Sequence, residues 1–477
     1  MDTRRVVLFN APVCQSKKDE IEEGNEHLRI GIASIAAYLK SKGVSVLMID
    51  TEDLPSIKKM LRVFSPQFAG LPAYTCEVYD TARTAKMVKE IVPESRIVVG
   101  GPHPSALPEE TLREFPVFDL AVIGEGEKTF YEIVRGDTRI EELKGVAYAR
   151  NGSIYVNPKA GPLESLDALP DPAWDLYNLV RYKKIFWGKT RNAFKIVKDN
   201  DMLFLPIESM RGCPFECLFC FRLNDRSVRY KSPLRVAEEL ERGIEQFNAG
   251  RFYFVDPTFG INKQYTLELC DLIVKKRLQE RIGWEVSSRV DVMDEELLKS
   301  MKKAGCDTIG FGIESGNDDV LEHTGKHTNK KMILDVIRLC NKIGITVGST
   351  FIFGHPHESK QRINETIKFA RSLPIATASF AIMVPFPGTK IYEMAKQDLG
   401  GFRILTKQWD AYGKQVGMAM ELENVPQKEL LKLQAKAYIY FYCSFRRIAF
   451  LLRHLTFARA LYAFKRSLFL LRVDKRS

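Results

Sequence analysis

Three cysteines, Cys213, Cys217 and Cys220, stand in a C-x3-C-x2-C spacing within ESMRGCPFECLFCFRLN, residues 208–224. They follow an apolar run, Leu203–Ile207, that reads as a buried strand. Three thiolates can hold three corners of a cubane iron–sulfur cluster. No fourth ligand lies in the stretch, so one iron stays open. A cluster ligated by four cysteines passes electrons, whereas one with an open iron can also bind and cleave a small molecule. The competing uses are a zinc site, which closes with four ligands, and scattered structural thiols.

The elements that must position this loop are legible downstream. Strands are expected at Leu203–Ile207, Arg251–Val255, Trp284–Ser288, Thr308–Gly312, Thr346–Phe353 and Ala378–Met383, with helical patterns between them. Six strand–helix repeats predict a partial (β/α)6 barrel over residues 201–395, and barrels of this kind carry function at the carboxyl ends of their strands. The cysteine loop follows the first strand. Asp256, Arg289, Glu314 and His355 follow the second to fifth. Each alone reads as a cap or ion pair; their recurrence at successive strand ends points to one mouth.

Upstream, residues 1–145 also alternate strand and helix, with strands expected at Val6–Asn10, Val44–Asp50, Phe68–Leu71, Arg96–Val99 and Leu120–Ile123. This predicts a doubly wound, Rossmann-like parallel sheet whose ligand lies beyond its carboxyl edge. Two glycine loops stand there: Gly100-Gly101-Pro102-His103 and Gly124-Glu125-Gly126. Glycines let a backbone approach a large ligand closely or make tight turns. No G-x-G-x-x-G follows the first strand, so this is not a dinucleotide fingerprint. Residues 146–200 read as a hairpin with Asn151-Gly152 at its turn and a proline-containing linker, in which Trp174 and Tyr177 are candidate anchors on a neighbouring domain.

The cysteine spacing, with Phe219 before the last thiol, resembles the radical S-adenosylmethionine (SAM) superfamily, as do DPTFGIN, FGIESGND and PFPGT. The resemblance implies a [4Fe-4S] cluster on Cys213, Cys217 and Cys220 and reductive cleavage of SAM to a 5′-deoxyadenosyl radical. SAM needs a cation for its carboxylate and acceptors for its amine and hydroxyls. Arg289 suits the first, and Glu314 and Asp256 suit the others. VVGGPHPSALPEE followed by VIGEGEKTF resembles the cobalamin-binding domain fused to one branch of that superfamily. There the glycine loops surround the cobalamin tail, which assigns Gly100, Gly101, Gly124, Glu125 and Gly126 to the cofactor, with Thr75 and His103 as further contacts. Related domains offer cobalt a histidine after the first strand. This chain reads NAPVCQSKK there, which implies cobalamin held base-off with no protein histidine ligand.

The implied activity is cobalamin-dependent methylation of an unactivated carbon in a small-molecule or lipid-like substrate, with an external donor such as flavodoxin or ferredoxin. Radical cyclisation, as in the anaerobic porphyrin ring cyclase, is the alternative. A non-catalytic cobalamin sensor is the alternative from another class. The cluster implies oxygen sensitivity.

Composition sets the remaining bounds. The chain has 477 residues, 45% apolar and 27% charged, and nine cysteines, of which the six outside the motif are scattered and suit a reducing cytoplasm rather than a disulfide framework. No secretory signal is visible and no run is long enough to span a bilayer. Of the net charge of +11, residues 426–477 carry +10, from twelve Lys and Arg against two acids. Within the domain expected at 396–477, the basic helical tail interleaves Arg446, Arg447, Arg453 and Arg459 with apolar residues. Peripheral contact with the inner membrane surface, packing on the barrel, and docking of an anionic substrate are its three readings. No nucleic-acid module accompanies the charge.

Overall fold

The computed structural model describes residues 4–13, 28–50, 53–183, 202–223, 226–413 and 418–443. The basic tail beyond 443 therefore lies outside the described residues. The chain divides into two compact units. The first holds the N-terminal segment together with Met210–Gly212 and Phe221–Lys231. The second holds Cys213–Cys220, the barrel strands and the C-terminal segment.

In the first unit five parallel strands, Arg5–Phe9, Ser45–Ile49, Phe68–Pro72, Arg96–Gly100 and Leu120–Val122, lie in the order second, first, third, fourth, fifth. Buried β-branched and leucine side chains (Val6, Val7, Leu8, Ile97, Val99) make them strands wanted on both faces. The order reverses between the first and third strands, the place where such sheets open a ligand crevice. The hairpin is not part of a connector. Val146–Arg150 and Ser153–Val156 add two antiparallel strands beyond the fifth, with Asn151 and Gly152 both at positive φ in the turn.

The segment after the hairpin packs on this same unit. Leu166, Leu169, Trp174, Tyr177 and Tyr182 are buried. The Tyr182 hydroxyl donates to Asp50 Oδ1 at 2.6 Å and accepts from Asn10 Nδ2 at 3.0 Å. Burial, ahead of the Asp50 charge, pushes both the Tyr177 and Tyr182 phenols up. The tyrosines thus anchor the segment over the ends of the first two strands.

In the second unit six parallel strands, Leu203–Ile207, Ala249–Phe254, Gly283–Ser288, Cys306–Glu314, Thr346–Phe353 and Thr377–Ile382, pair in sequence order and curl into a half-barrel. Alternate residues such as Trp284, Val286, Ile309 and Phe311 are buried under the helices. Five long helices between strands are capped by Ser232, Asn262, Asp294, Asn329 and Ser359, each side chain accepting a backbone N–H from the first turn.

A half-barrel leaves edge strands with unpaired backbone groups. On Thr377–Ile382 the helix Gln427–Tyr442 supplies partners from its side chains. The Tyr442 hydroxyl accepts from Ala378 N at 3.1 Å and donates to Ala378 O at 2.9 Å. Tyr438 does the same at Phe380, at 3.2 and 3.4 Å, and Gln434 Nε2 donates to Phe380 O at 2.8 Å. This helix, expected in the C-terminal domain, is an integral wall of the barrel unit.

Candidate active site

The three cysteines are free thiols on the loop after the first barrel strand: Cys217 is buried, Cys213 half-buried and Cys220 exposed. Cys213 Sγ lies 3.8 Å from Thr258 Oγ1, and Cys217 Sγ lies 3.8 Å from the Gly325 carbonyl. The Arg289 guanidinium donates from Nη1 to Cys217 Sγ at 3.4 Å and stacks on Phe215 with 3.8 Å to the ring centroid. Cys217 and Cys220 share a hydrogen bond. It pulls the Cys217 thiol down to about 6, against burial and with help from the Lys326 and Arg289 charges, and holds Cys220 well above the usual thiol value.

Arg289 is nearly fully engaged. Its Nε and Nη2 fork onto Asp291 at 2.9 and 2.7 Å, and Nη2 also reaches the Lys326 carbonyl. Burial would lower its pKa, but the Asp291 carboxylate keeps it raised. Asp256 is also committed: its two oxygens accept from the Ser209 amide at 2.8 Å and from the Ser209 hydroxyl, tying the ends of the first and second strands. Phe219 faces His355 edge-on, with ring centroids 6.0 Å apart.

Glu314 ends its strand at φ 68°, in the left-handed region that a non-glycine residue enters only at a cost. The register slips between Gly312 and Glu314. Its Oε1 accepts from Lys326 Nζ at 3.2 Å, and both side chains are at most 8% exposed. Gly312 makes this pair possible, since a Cβ there would stand 2.3 Å from Glu314 Oε1. Lys326 was invisible in the sequence: it sits in TGKHT, outside any strand end, and reaches the site because Gly325 turns at φ 70° beneath the cysteine loop. His355 is fully buried, and burial lowers its pKa to about 4, so it is neutral.

Among the described residues no three His, Cys, Asp or Glu side chains gather tightly enough for a single metal ion. A cubane takes its thiolates on different irons. Three free thiols with the Arg289 and Lys326 cations beside them fit an anionic iron–sulfur cluster.

In the first unit the other candidates meet at the carboxyl ends of the third to fifth strands. Gly101 has φ 108°, and a Cβ there would stand 3.1 Å from Ala73 O. His103 is buried, with Nδ1 3.4 Å from Thr75 Oγ1, and burial lowers its pKa to about 4. Ser105, which lies in the first glycine-loop motif but is not singled out there, ties the two glycine loops by accepting from the Gly124 amide at 3.0 Å. Gly126 opens a helix where a Cβ would meet Ile35 at 2.8 Å. Glu125 points elsewhere. It accepts from the Leu163 amide at 2.9 Å and pairs with Arg229 and Arg211. Burial opposes its ionisation, yet the Arg229 hydrogen bond, the Leu163 amide and the Arg211 charge hold its carboxyl below the usual value.

With this geometry in place, residues 207–370 match the model of the radical SAM superfamily and residues 21–134 that of the B12 binding domain. An uncharacterized methyltransferase of Pyrococcus horikoshii is 34% identical over 422 residues, covering 87% of each chain. This chain belongs to the radical SAM superfamily, in the branch that carries a B12-binding domain. The anaerobic magnesium-protoporphyrin IX monomethyl ester cyclase of Rubrivivax gelatinosus is 28% identical over 76% of this chain and 65% of the cyclase. The fold is that of the cobalamin-dependent SAM radical enzyme OxsB (TM-score 0.72, 19% identity, 92% of this chain and 67% of that one). It is also that of the radical SAM methyltransferase TsrM from Kitasatospora setae (TM-score 0.70, 15% identity, 92% of this chain and 89% of that one). The homologous structures contain cobalamin, a [4Fe-4S] cluster and SAM. The protein is a radical SAM enzyme of the cobalamin-dependent methyltransferase family.

Proposed function

We propose that this enzyme methylates an unactivated carbon of a small-molecule or lipid-like substrate. The observation that carries the reading is the presence of two sites within one chain: free thiols at the barrel mouth beside two buried cations, and, in the first unit, two glycine loops at the carboxyl ends of the fourth and fifth strands. Bound together, the cluster supplies the electron that cleaves SAM, and cobalamin carries the methyl group.

The residues then divide the work. Cys213, Cys217 and Cys220 hold the cluster. Arg289 and Lys326 place positive charge beside the thiolates, and Asp291 and Glu314 hold those cations in place. Phe215 and Phe219 exclude water around them. Because Asp291 and the Lys326 carbonyl occupy much of Arg289, and Ser209 occupies both oxygens of Asp256, Lys326 and Glu314 are the better candidates for the polar ends of SAM. Thr75, Gly100, Gly101, His103, Gly124 and Gly126 surround the cobalamin tail. Residues 10–18, directly after the first strand, read NAPVCQSKK with no histidine, which supports a base-off cofactor with no histidine ligand from that position. His103 stays neutral and buried against Thr75, which suits a hydrogen-bonding role in the tail pocket.

Ring closure without methyl transfer is the second reading, favoured by the cyclase relatives at 28% and 27% identity. The products separate the two. With reductant, SAM and substrate, methylation yields 5′-deoxyadenosine and S-adenosylhomocysteine together, whereas cyclisation yields 5′-deoxyadenosine alone. An external flavodoxin- or ferredoxin-class donor supplies the electrons. The tail beyond residue 443 is proposed as a peripheral membrane contact. Among the described residues no helix is long and apolar enough to cross a membrane. Flotation with anionic liposomes, with and without the tail, tests that contact, and equal binding would reject it.

A further inference from the structure

The loop that bears the cysteines is closed at its base by a short antiparallel ribbon, Met210–Arg211 against Arg229–Tyr230. In its register Arg211 stands directly opposite Arg229. Two like charges facing across a ribbon repel and destabilise it, and a two-residue ribbon has little else to hold it. Closure also demands glycine at 212, which has φ 93° and where a Cβ would lie 2.1 Å from the Ser227 carbonyl.

The repulsion is cancelled from the loop after the fifth strand of the first sheet. Glu125 takes Arg229 through both oxygens and stands 3.5 Å from Arg211 Nη1. Glu127 takes Arg211 Nη2 at 2.7 Å, and its Oε1 also accepts from the Ser34 hydroxyl at 2.7 Å. Arg229 Nη1 reaches the Leu163 carbonyl at 2.8 Å, while the Leu163 amide returns to Glu125. The Glu125 and Glu127 side chains are 7% and 4% exposed and the Arg229 and Arg211 side chains 14% and 11%. Two buried cations therefore meet two buried anions, with polar partners on each side, as a charge cluster out of water requires.

We propose that Glu125 and Glu127 form a clasp whose work is to close the ribbon and so fix the cysteine loop for its cluster. Arg211 lies two residues before Cys213, so the clasp acts through the backbone on the spacing of the thiolates. Glu125, Glu127, Arg211 and Arg229 are positioning residues. The GEGE segment then has two roles: its glycines belong to the loop assigned to the cofactor, and its carboxylates close the ribbon from which the cysteine stretch continues. This inference rests on the reading that the three cysteines carry a cluster.

The test uses the full chain, reconstituted with iron and sulfide and separately titrated with hydroxocobalamin. Glu125→Gln keeps the shape and removes the charge. The clasp predicts hydroxocobalamin affinity within about twofold of the unaltered chain. It also predicts at least roughly twofold less iron retained and a broadened electron paramagnetic resonance signal from the reduced cluster. Full iron with an unchanged signal would overturn it. So would an intact cluster with cobalamin affinity lowered about tenfold or more, which would return Glu125 to the cofactor. If Glu125→Gln loses both, Arg229→Gln decides, because it changes the ribbon and leaves the glycine loops untouched. Cobalamin kept with a disordered cluster supports the clasp, and any other outcome refutes it. Absence of iron from the unaltered chain would overturn the cluster reading itself, and the clasp with it.

Discussion

Lys326→Met is the sharpest perturbation of the barrel mouth. The substitution keeps the length of the side chain and removes its charge, leaving Glu314 buried with no cation. At 3.2 Å and an effective dielectric near 20, the attraction lost is about 5 kcal/mol. Breaking a buried pair from one side costs about 3–5 kcal/mol by mutational experience, much of it the exposure of the orphaned charge to a low dielectric. Glu314→Gln in the Lys326→Met background removes that orphan, so the double variant should be more stable than Lys326→Met alone. The assay is urea unfolding of cluster-free protein, following the fluorescence of the barrel unit, in which Trp284 is fully buried. A loss of about 3–5 kcal/mol for Lys326→Met, with a coupling energy of at least about 1 kcal/mol across the cycle, is expected. A loss below about 1 kcal/mol, or additive effects, would show that the pair is solvated and that the mouth is not assembled as described.

Three further outcomes rest on individual contacts. Gly101→Val adds a side chain at φ 108° against Ala73 O, and should weaken hydroxocobalamin binding roughly tenfold or more without changing iron content. Tyr438→Phe and Tyr442→Phe each leave edge-strand backbone groups short of a partner, so each should cost about 1–3 kcal/mol in the same unfolding assay. Glu358 accepts from the Gly354 and His355 amides through Oε2 while its buried Oε1 has no partner, and burial raises its carboxyl from 4.5 to about 7. The folded state thus binds this proton more tightly than the unfolded one. Its contribution is complete below about pH 4.5 and is lost as pH rises through 7, amounting to about 3 kcal/mol. Glu358→Gln should flatten that dependence, and an unchanged slope between pH 5 and 8 would contradict it.

Much of this could be read from local patterns. The six barrel strands are apolar runs between capped helices, and Asn262, Asp294 and Ser359 cap where their residue types say they should. Cys213, Cys217 and Cys220 were readable because their spacing is itself the motif. The features that local pattern misses depend on pairing across long stretches of chain. The hairpin Val146–Val156 has the same sequence whether it stands in a linker or extends a sheet, and its partner, Leu120–Val122, carries no sign of which edge is open. Lys326 reaches Glu314 only because Gly325 turns beneath the cysteine loop. Arg289 and Asp256 stand at strand ends as expected, but their partners Asp291 and Ser209 could not be chosen from spacing alone. Glu125 lay in a motif assigned to the cofactor, and the opposed arginines that claim it sit about a hundred residues away, in a ribbon too short to leave a pattern.

The central claim is that one chain carries both a cluster with an open iron and a cobalamin. The direct measurement is anaerobic reconstitution with iron, sulfide and hydroxocobalamin, followed by metal analysis of the isolated protein and assay with SAM and reductant. About four irons and one cobalt per chain, with 5′-deoxyadenosine formed by the unaltered chain and none by Cys217→Ala, is the result predicted. Iron without cobalt, cobalt without iron, or 5′-deoxyadenosine formation that survives Cys217→Ala would contradict it.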